Sequence, residues 1–200
     1  MYNEPNPLLI VLSGPSGVGK DALILRMKEL GHDFFYAITA TTRPQRSTEV
    51  DGEDYYFVGR ERFEGMREEG ELLEWAEVYG HLYGVPKQPV RDVLREGRDV
   101  MVKVDVQGVD NIKRIAPEAV AIFVSPPSME ELHRRLRQRK TESAEALERR
   151  IREADEEIQR LPDFDYVVVS HTGDMDTTIS QISSIVTAEK CRTKQRRVEL

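Results

Sequence analysis

The sequence predicts an α/β fold, a parallel sheet wrapped by helices, with an inserted lobe and a helical lid. Three observations carry that expectation. Short, continuous apolar runs each precede a segment that reads as a helix. A glycine-rich turn joins the first of these runs to the first helix. Between that helix and the next such run, the pattern changes to short strands clustered around a single helix.

Taken in order, Leu8-Leu9-Ile10-Val11-Leu12 is wholly apolar and stops at Ser13-Gly14-Pro15, as a strand buried on both faces of a parallel sheet would. A helix is expected from Lys20 to about residue 30. Residues 37–42, 55–58 and 72–78 read as the short strands of the inserted lobe. The apolar runs at 100–104, 119–124 and 166–169 resume the sheet, each leading into a helix-like segment. From 128 to 161 the chain alternates arginines with glutamates on either side of Lys140-Thr141-Glu142-Ser143, which fits two charged helices joined by a turn. On charge pattern alone a solvated hairpin laced with ion pairs is the plainer account of that segment. The tail from Lys190 lacks clear periodicity and is expected to fray.

With 200 residues, 39% of them hydrophobic, the chain can fill one well-buried core but not two full-sized domains. The expected division is a core of about 7–36, 88–127 and 162–192, a lobe of about 37–87 and a lid of about 128–161. A balance of 29 Lys+Arg against 36 Asp+Glu, net charge -7, argues against general nucleic-acid binding. The one cysteine, Cys191, can form no internal disulfide and has no Cys or His neighbour at metal-ligand spacing, which suits a reducing compartment. The run from Leu8 to Leu12 is too short to span a membrane, and the residues before it are acidic rather than basic. The expectation is therefore a cytoplasmic protein with neither membrane nor nucleic acid as partner.

Gly14-Pro15-Ser16-Gly17-Val18-Gly19-Lys20 matches G-x-x-x-x-G-K, between a buried strand and a helix. In such a P-loop the backbone N–H groups cradle phosphate oxygens at the helix N-terminus, and the lysine supplies a point charge to the transferring phosphate. The segment from Gly14 to Asp21 is thus the candidate ATP-binding loop, and the fold is expected to be that of the P-loop NTPases. The position after the lysine usually carries Ser or Thr, whose hydroxyl meets magnesium; here it is Asp21. Asp21 is then either a Mg2+ ligand, directly or through water, or a cap on the first helical turn.

Beyond the loop, several segments resemble the guanylate kinase family in order and spacing. They are Thr41-Thr42-Arg43-Pro44-Gln45-Arg46, Asp51-Gly52-Glu53-Asp54-Tyr55-Tyr56-Phe57, Leu73-Glu74-Trp75-Ala76, Tyr83-Gly84, Val104-Asp105-Val106-Gln107-Gly108 and Pro126-Pro127-Ser128. With the arginine hairpin, the resemblance spans nearly the whole chain. It implies ATP-dependent phosphorylation of GMP, and of dGMP, with Mg2+ as the cofactor. It also implies that Arg43, Arg46, Tyr55 and Tyr83 hold the acceptor phosphate, that Thr39, Glu74 and Asp105 surround the base, and that Arg135, Arg139 and Arg150 serve the ATP phosphates and the transferring group.

The residue chemistry agrees with that assignment. A phosphate monoester dianion calls for guanidinium forks and hydroxyl donors. Guanine presents a ring N–H beside an exocyclic amine, and one carboxylate such as Glu74 can accept from both. The attacking oxygen belongs to an already ionised phosphate, so no general base is needed. Three departures from the family pattern stand out: Val85 where Ser or Thr is common, Lys103 where an acidic residue is common, and Ser170 where Asn is common. Two other readings compete, a scaffold module without catalysis and a kinase acting on a sugar phosphate. The intact loop argues against the first, and Thr39, Glu74, Tyr55 and Tyr83 argue against the second. Monomer and homodimer both remain open.

Overall fold

The computed structural model describes residues 5–78, 80–138 and 144–200. The described chain divides into two units, one of residues 1–11, 34–119 and 196–200, the other of 12–33 and 120–195. Strand β1 (Leu9–Ser13) contributes its start to the first unit and its end to the second. All five of its residues are buried, as the uninterrupted apolar run predicts.

In the first unit, β2 (Phe35–Tyr36) lies parallel to β7 (Val100–Lys103), with Phe35 opposite Val100. The Val100 N–H donates to the Leu8 carbonyl at 2.9 Å, so the strand order here is β2-β7-β1. A second sheet has the order β4-β3-β6-β5, built from β3 (Thr39–Thr41), β4 (Tyr55–Phe57), β5 (Leu72–Val78) and β6 (His81–Pro86). Helix α2 (Arg60–Glu68) buries Phe63 and Met66 in a small core with Ala40 and Leu82. Burial of side chains of that size contributes roughly 1.5–3 kcal/mol each.

Helix α3 (Lys87–Arg95) buries Val90, Val93 and Leu94 at helical spacing. Helix α4 (Val106–Ile115) starts at Asp105, whose carboxylate accepts from the Gly108 N–H at 2.7 Å and so satisfies one of the orphan donors of the first turn.

In the second unit, β8 (Val120–Ser125) follows the end of β1 and pairs parallel with β9 (Tyr166–Val169). Helix α1 (Lys20–Glu29) buries Leu23 and Met27, one turn apart. The two charged helices are α5 (Met129–Gln138) and α6 (Ala144–Gln159), and α7 (Met175–Lys190) closes the unit. The turn expected at 140–143 lies outside the described residues.

The chain departs from the expected elements: β2, α3 and β6 form where none was expected. β6 has no uninterrupted apolar run to announce it, with Gly84 and Pro86 inside it. It forms because its partners on either side hold it: Gly84 pairs with Ala40 and with Trp75. The tail is also not simply frayed, since Asn6 Nδ2 donates to the Arg196 carbonyl at 3.0 Å.

Candidate active site

The phosphate loop lies wholly in the second unit. Gly14 has φ 140, and a Cβ there would sit 2.2 Å from the Val124 carbonyl oxygen, so only glycine lets β1 turn into the loop beside β8. Gly19 is the N-cap of α1 and, as a glycine, brings no side chain over the first turn. The first N–H groups of α1 have no intrahelical partners, the feature that makes a helix N-terminus an anion site. The Lys20 ammonium folds back to the carbonyls of Gly14 and Pro15, the latter at 3.3 Å. Asp21 stands exposed in the first turn of α1.

Arginines from both charged helices reach this loop. Arg150 Nη2 donates to Ser16 Oγ at 2.8 Å, and from the same helix Glu157 accepts the Ser16 N–H at 3.1 Å. Arg135 uses its whole guanidinium: Nε to Glu131 (2.9 Å), Nη1 to the Val18 carbonyl (3.0 Å), and Nη2 to the Ser170 carbonyl and Thr172 Oγ1 (both 2.9 Å). Glu131 also accepts from Arg134 and from the Thr172 hydroxyl, and these donors hold its carboxyl far below the usual range. Arg139 lies outside the described residues.

The acceptor candidates lie in the first unit, gathered by the β4-β3-β6-β5 sheet. Thr39 pairs with Tyr55 across β3 and β4, and Tyr83 lies opposite Thr41 on one side and Ala76 on the other. The Tyr55 and Tyr83 rings meet edge to face at 6.2 Å. Arg43 stands 5.4 Å over the Tyr55 ring. Its guanidinium is held by Glu49 at 2.7 Å, a carboxylate that also takes the Arg46 backbone N–H at 2.9 Å. Arg46 itself is different, since its side chain is 65% exposed and among the described residues reaches only Glu49, at 3.6 Å.

Glu74 is on β5, where alternation turns it inward and the adjacent Trp75 outward. Glu74 is buried, and its Oε2 has no hydrogen-bond partner among the described residues. Desolvation, reinforced by the nearby Asp105, raises its carboxyl to about 8. A Cβ at Gly108 would come within 2.8 Å of that oxygen, so the glycine makes room for it.

The sequence singled out Thr39, Tyr55, Tyr83, Arg43, Glu74 and Asp105, and all belong to this one unit. It did not single out Glu49, Glu131, Glu157, Gly108 or Thr172 for these contacts. Glu49 and Glu131 had local signals, the first a carboxylate three residues after Arg46, the second a carboxylate three and four residues before Arg134 and Arg135 on one helix. Glu157, Gly108 and Thr172 are brought in by elements distant along the chain.

A family model described as guanylate kinase matches residues 6–189. The chain is similar to guanylate kinase 2, chloroplastic/mitochondrial, from Oryza sativa subsp. japonica, with 45% identity over 98% of this chain and 69% of that protein. It is similar to the guanylate kinase of Caldanaerobacter subterraneus subsp. tengcongensis, with 46% identity over 92% of this chain and 89% of the relative. Among solved structures, the guanylate kinase of Anaplasma phagocytophilum superposes with a TM-score of 0.77 at 34% identity, covering 97% of this chain and 91% of that one.

Proposed function

The chain belongs to the guanylate kinase family, and on that premise we propose which of its residues perform the reaction. It is a nucleoside-monophosphate kinase that transfers the terminal phosphoryl group of ATP to GMP, giving ADP and GDP. The observation that carries the residue assignment is the buried Glu74 carboxyl, whose Oε2 has no partner among the described residues. Guanine offers two adjacent donors to such a group, and adenine offers no matching pair.

In this reading Glu74, with Thr39 and Asp105 beside it, selects the base. Arg43, Tyr55 and Tyr83 hold the acceptor phosphate, and Arg46 swings from the surface to join them. Lys20, with the loop from Gly14 to Asp21, holds the donor phosphates, and Arg135, Arg139 and Arg150 draw the helices at 128–161 over them as a lid. Residues 37–87 serve as the acceptor lobe. The acceptor oxygen is already ionised at neutral pH, so the protein's work is to align two phosphates, neutralise their charge and exclude water.

Mg2+ fits the residues present. Asp21, exposed in the first turn of α1, supplies one hard oxygen to an ion otherwise held by nucleotide phosphates. When bound, the ion neutralises charge on the phosphates; Asp21 would hold it directly or through water. Among the described residues no helix is long and apolar enough to cross a membrane, and we place the enzyme in the cytoplasm. A coupled assay of ADP release across GMP, dGMP, IMP, AMP, CMP and UMP tests the reading. Turnover should be confined to GMP and dGMP, with IMP far behind; comparable turnover of AMP would overturn the role of Glu74.

A further inference from the structure

Lys103 ends β7, and its ammonium donates to the Tyr55 hydroxyl at 2.9 Å while lying 4.7 Å from the centre of the Tyr55 ring. An ammonium has three donors and no acceptor, so in this pair the phenolic oxygen can only accept. The single proton of the hydroxyl is therefore turned away from Lys103. An acidic side chain in the same place would do the reverse, since a carboxylate is acceptor-only and would take that proton for itself. Phosphate-monoester oxygens are acceptors as well, so only the first polarity leaves Tyr55 able to donate to one.

We propose that Lys103 is a positioning residue for the acceptor phosphate: by donating to the Tyr55 oxygen it commits the Tyr55 hydroxyl as a hydrogen-bond donor to the phosphate monoester. The proposal rests on the reading of Tyr55 as a phosphate ligand. Nearby groups agree with an anion at this point. Arg43 stands over the same ring and Tyr83 meets its edge, both in the same unit as Lys103.

The test uses the full chain and four variants: Lys103→Met, Lys103→Arg, Tyr55→Phe and the Lys103→Met, Tyr55→Phe double variant. KM and kcat for GMP are measured beside the inhibition constant of guanosine, which carries the base without the phosphate. Lys103→Met should raise the KM for GMP by about tenfold, the scale of one charge-assisted hydrogen bond, and leave kcat and guanosine inhibition nearly unchanged. Lys103→Arg, which keeps a donor, should recover most of the loss. In the Tyr55→Phe background the Lys103→Met change should add little, because the hydroxyl it orients is gone. Equal effects of Lys103→Met in both backgrounds would overturn the proposal, as would a parallel loss of guanosine inhibition, which marks a merely structural role. A Tyr55→Phe variant with unchanged KM for GMP would overturn the underlying reading of Tyr55 itself, a result seen with Lys103 intact and so distinguishable from failure of the Lys103 proposal alone.

Discussion

Glu74 meets two requirements that oppose one another. In the proposed reading, burial makes its carboxyl a selective partner for guanine, yet burial also raises it to about 8, so at neutral pH most of it carries a proton. The guanine donors favour the ionised form, so binding must expel that proton below pH 8. Affinity is therefore lost as pH falls through the raised value and levels off above it. The inhibition constant of guanosine, which has no phosphate to titrate, should improve about tenfold per pH unit on rising toward 8. In Glu74→Gln the profile should flatten and the preference for GMP over IMP shrink, since an amide sets a donor against a guanine donor at a cost of roughly 1–3 kcal/mol. A wild-type profile that is flat between pH 6.5 and 8 would refute the titration. Asp21 carries a second conflict of this kind, a carboxylate in the first turn of a helix that should receive anionic phosphates. Asp21→Ser should bind ATP more tightly than wild type under chelator, and the gap should close or reverse with Mg2+. Equal affinities under chelator would leave Asp21 as a helix cap only.

At the scale of elements, Arg135 joins α5 to the carbonyls of Val18 in the loop and Ser170 after β9. A planar fork with five donors can do this; an ammonium on a flexible stem cannot reach all of them at once. Arg135→Lys should therefore raise the KM for ATP much more than that for GMP. It should also lower Tm by several degrees, on the scale of about 1–3 kcal/mol of lost hydrogen bonding. An unchanged Tm with a large kcat loss would show that Arg135 acts on the transferring group and not on the loop. The elements also show where local pattern misleads. β6, with Gly84 and Pro86 inside it, depends on the strands that flank it.

At the scale of the whole molecule, donor and acceptor candidates fall in different units, the loop with Arg135 and Arg150 in one and Glu74, Tyr55, Tyr83 and Arg43 in the other. Ligands present one at a time should show this by hydrogen exchange: GMP should slow exchange mainly at 39–41, 72–78 and 81–86, and MgATP mainly at 14–21. Protection of the loop by GMP alone, with the 72–78 strand unaffected, would contradict the assignment of the acceptor site. The sequence by itself determined the α/β class, the phosphate loop and the order of the family's motifs, because these depend on local rules. An apolar run makes a buried strand, glycines permit a tight turn, and a fixed spacing sets which groups face a phosphate. Tertiary structure alone decided that Glu49 restrains Arg43, that Glu157 takes a loop N–H, that Arg135 spends its fork on carbonyls, and that Lys103 sets the polarity of Tyr55. Each of these is a contact between groups far apart along the chain or on separate turns, and its donor and acceptor roles are fixed by direction and distance in space, which no local pattern encodes.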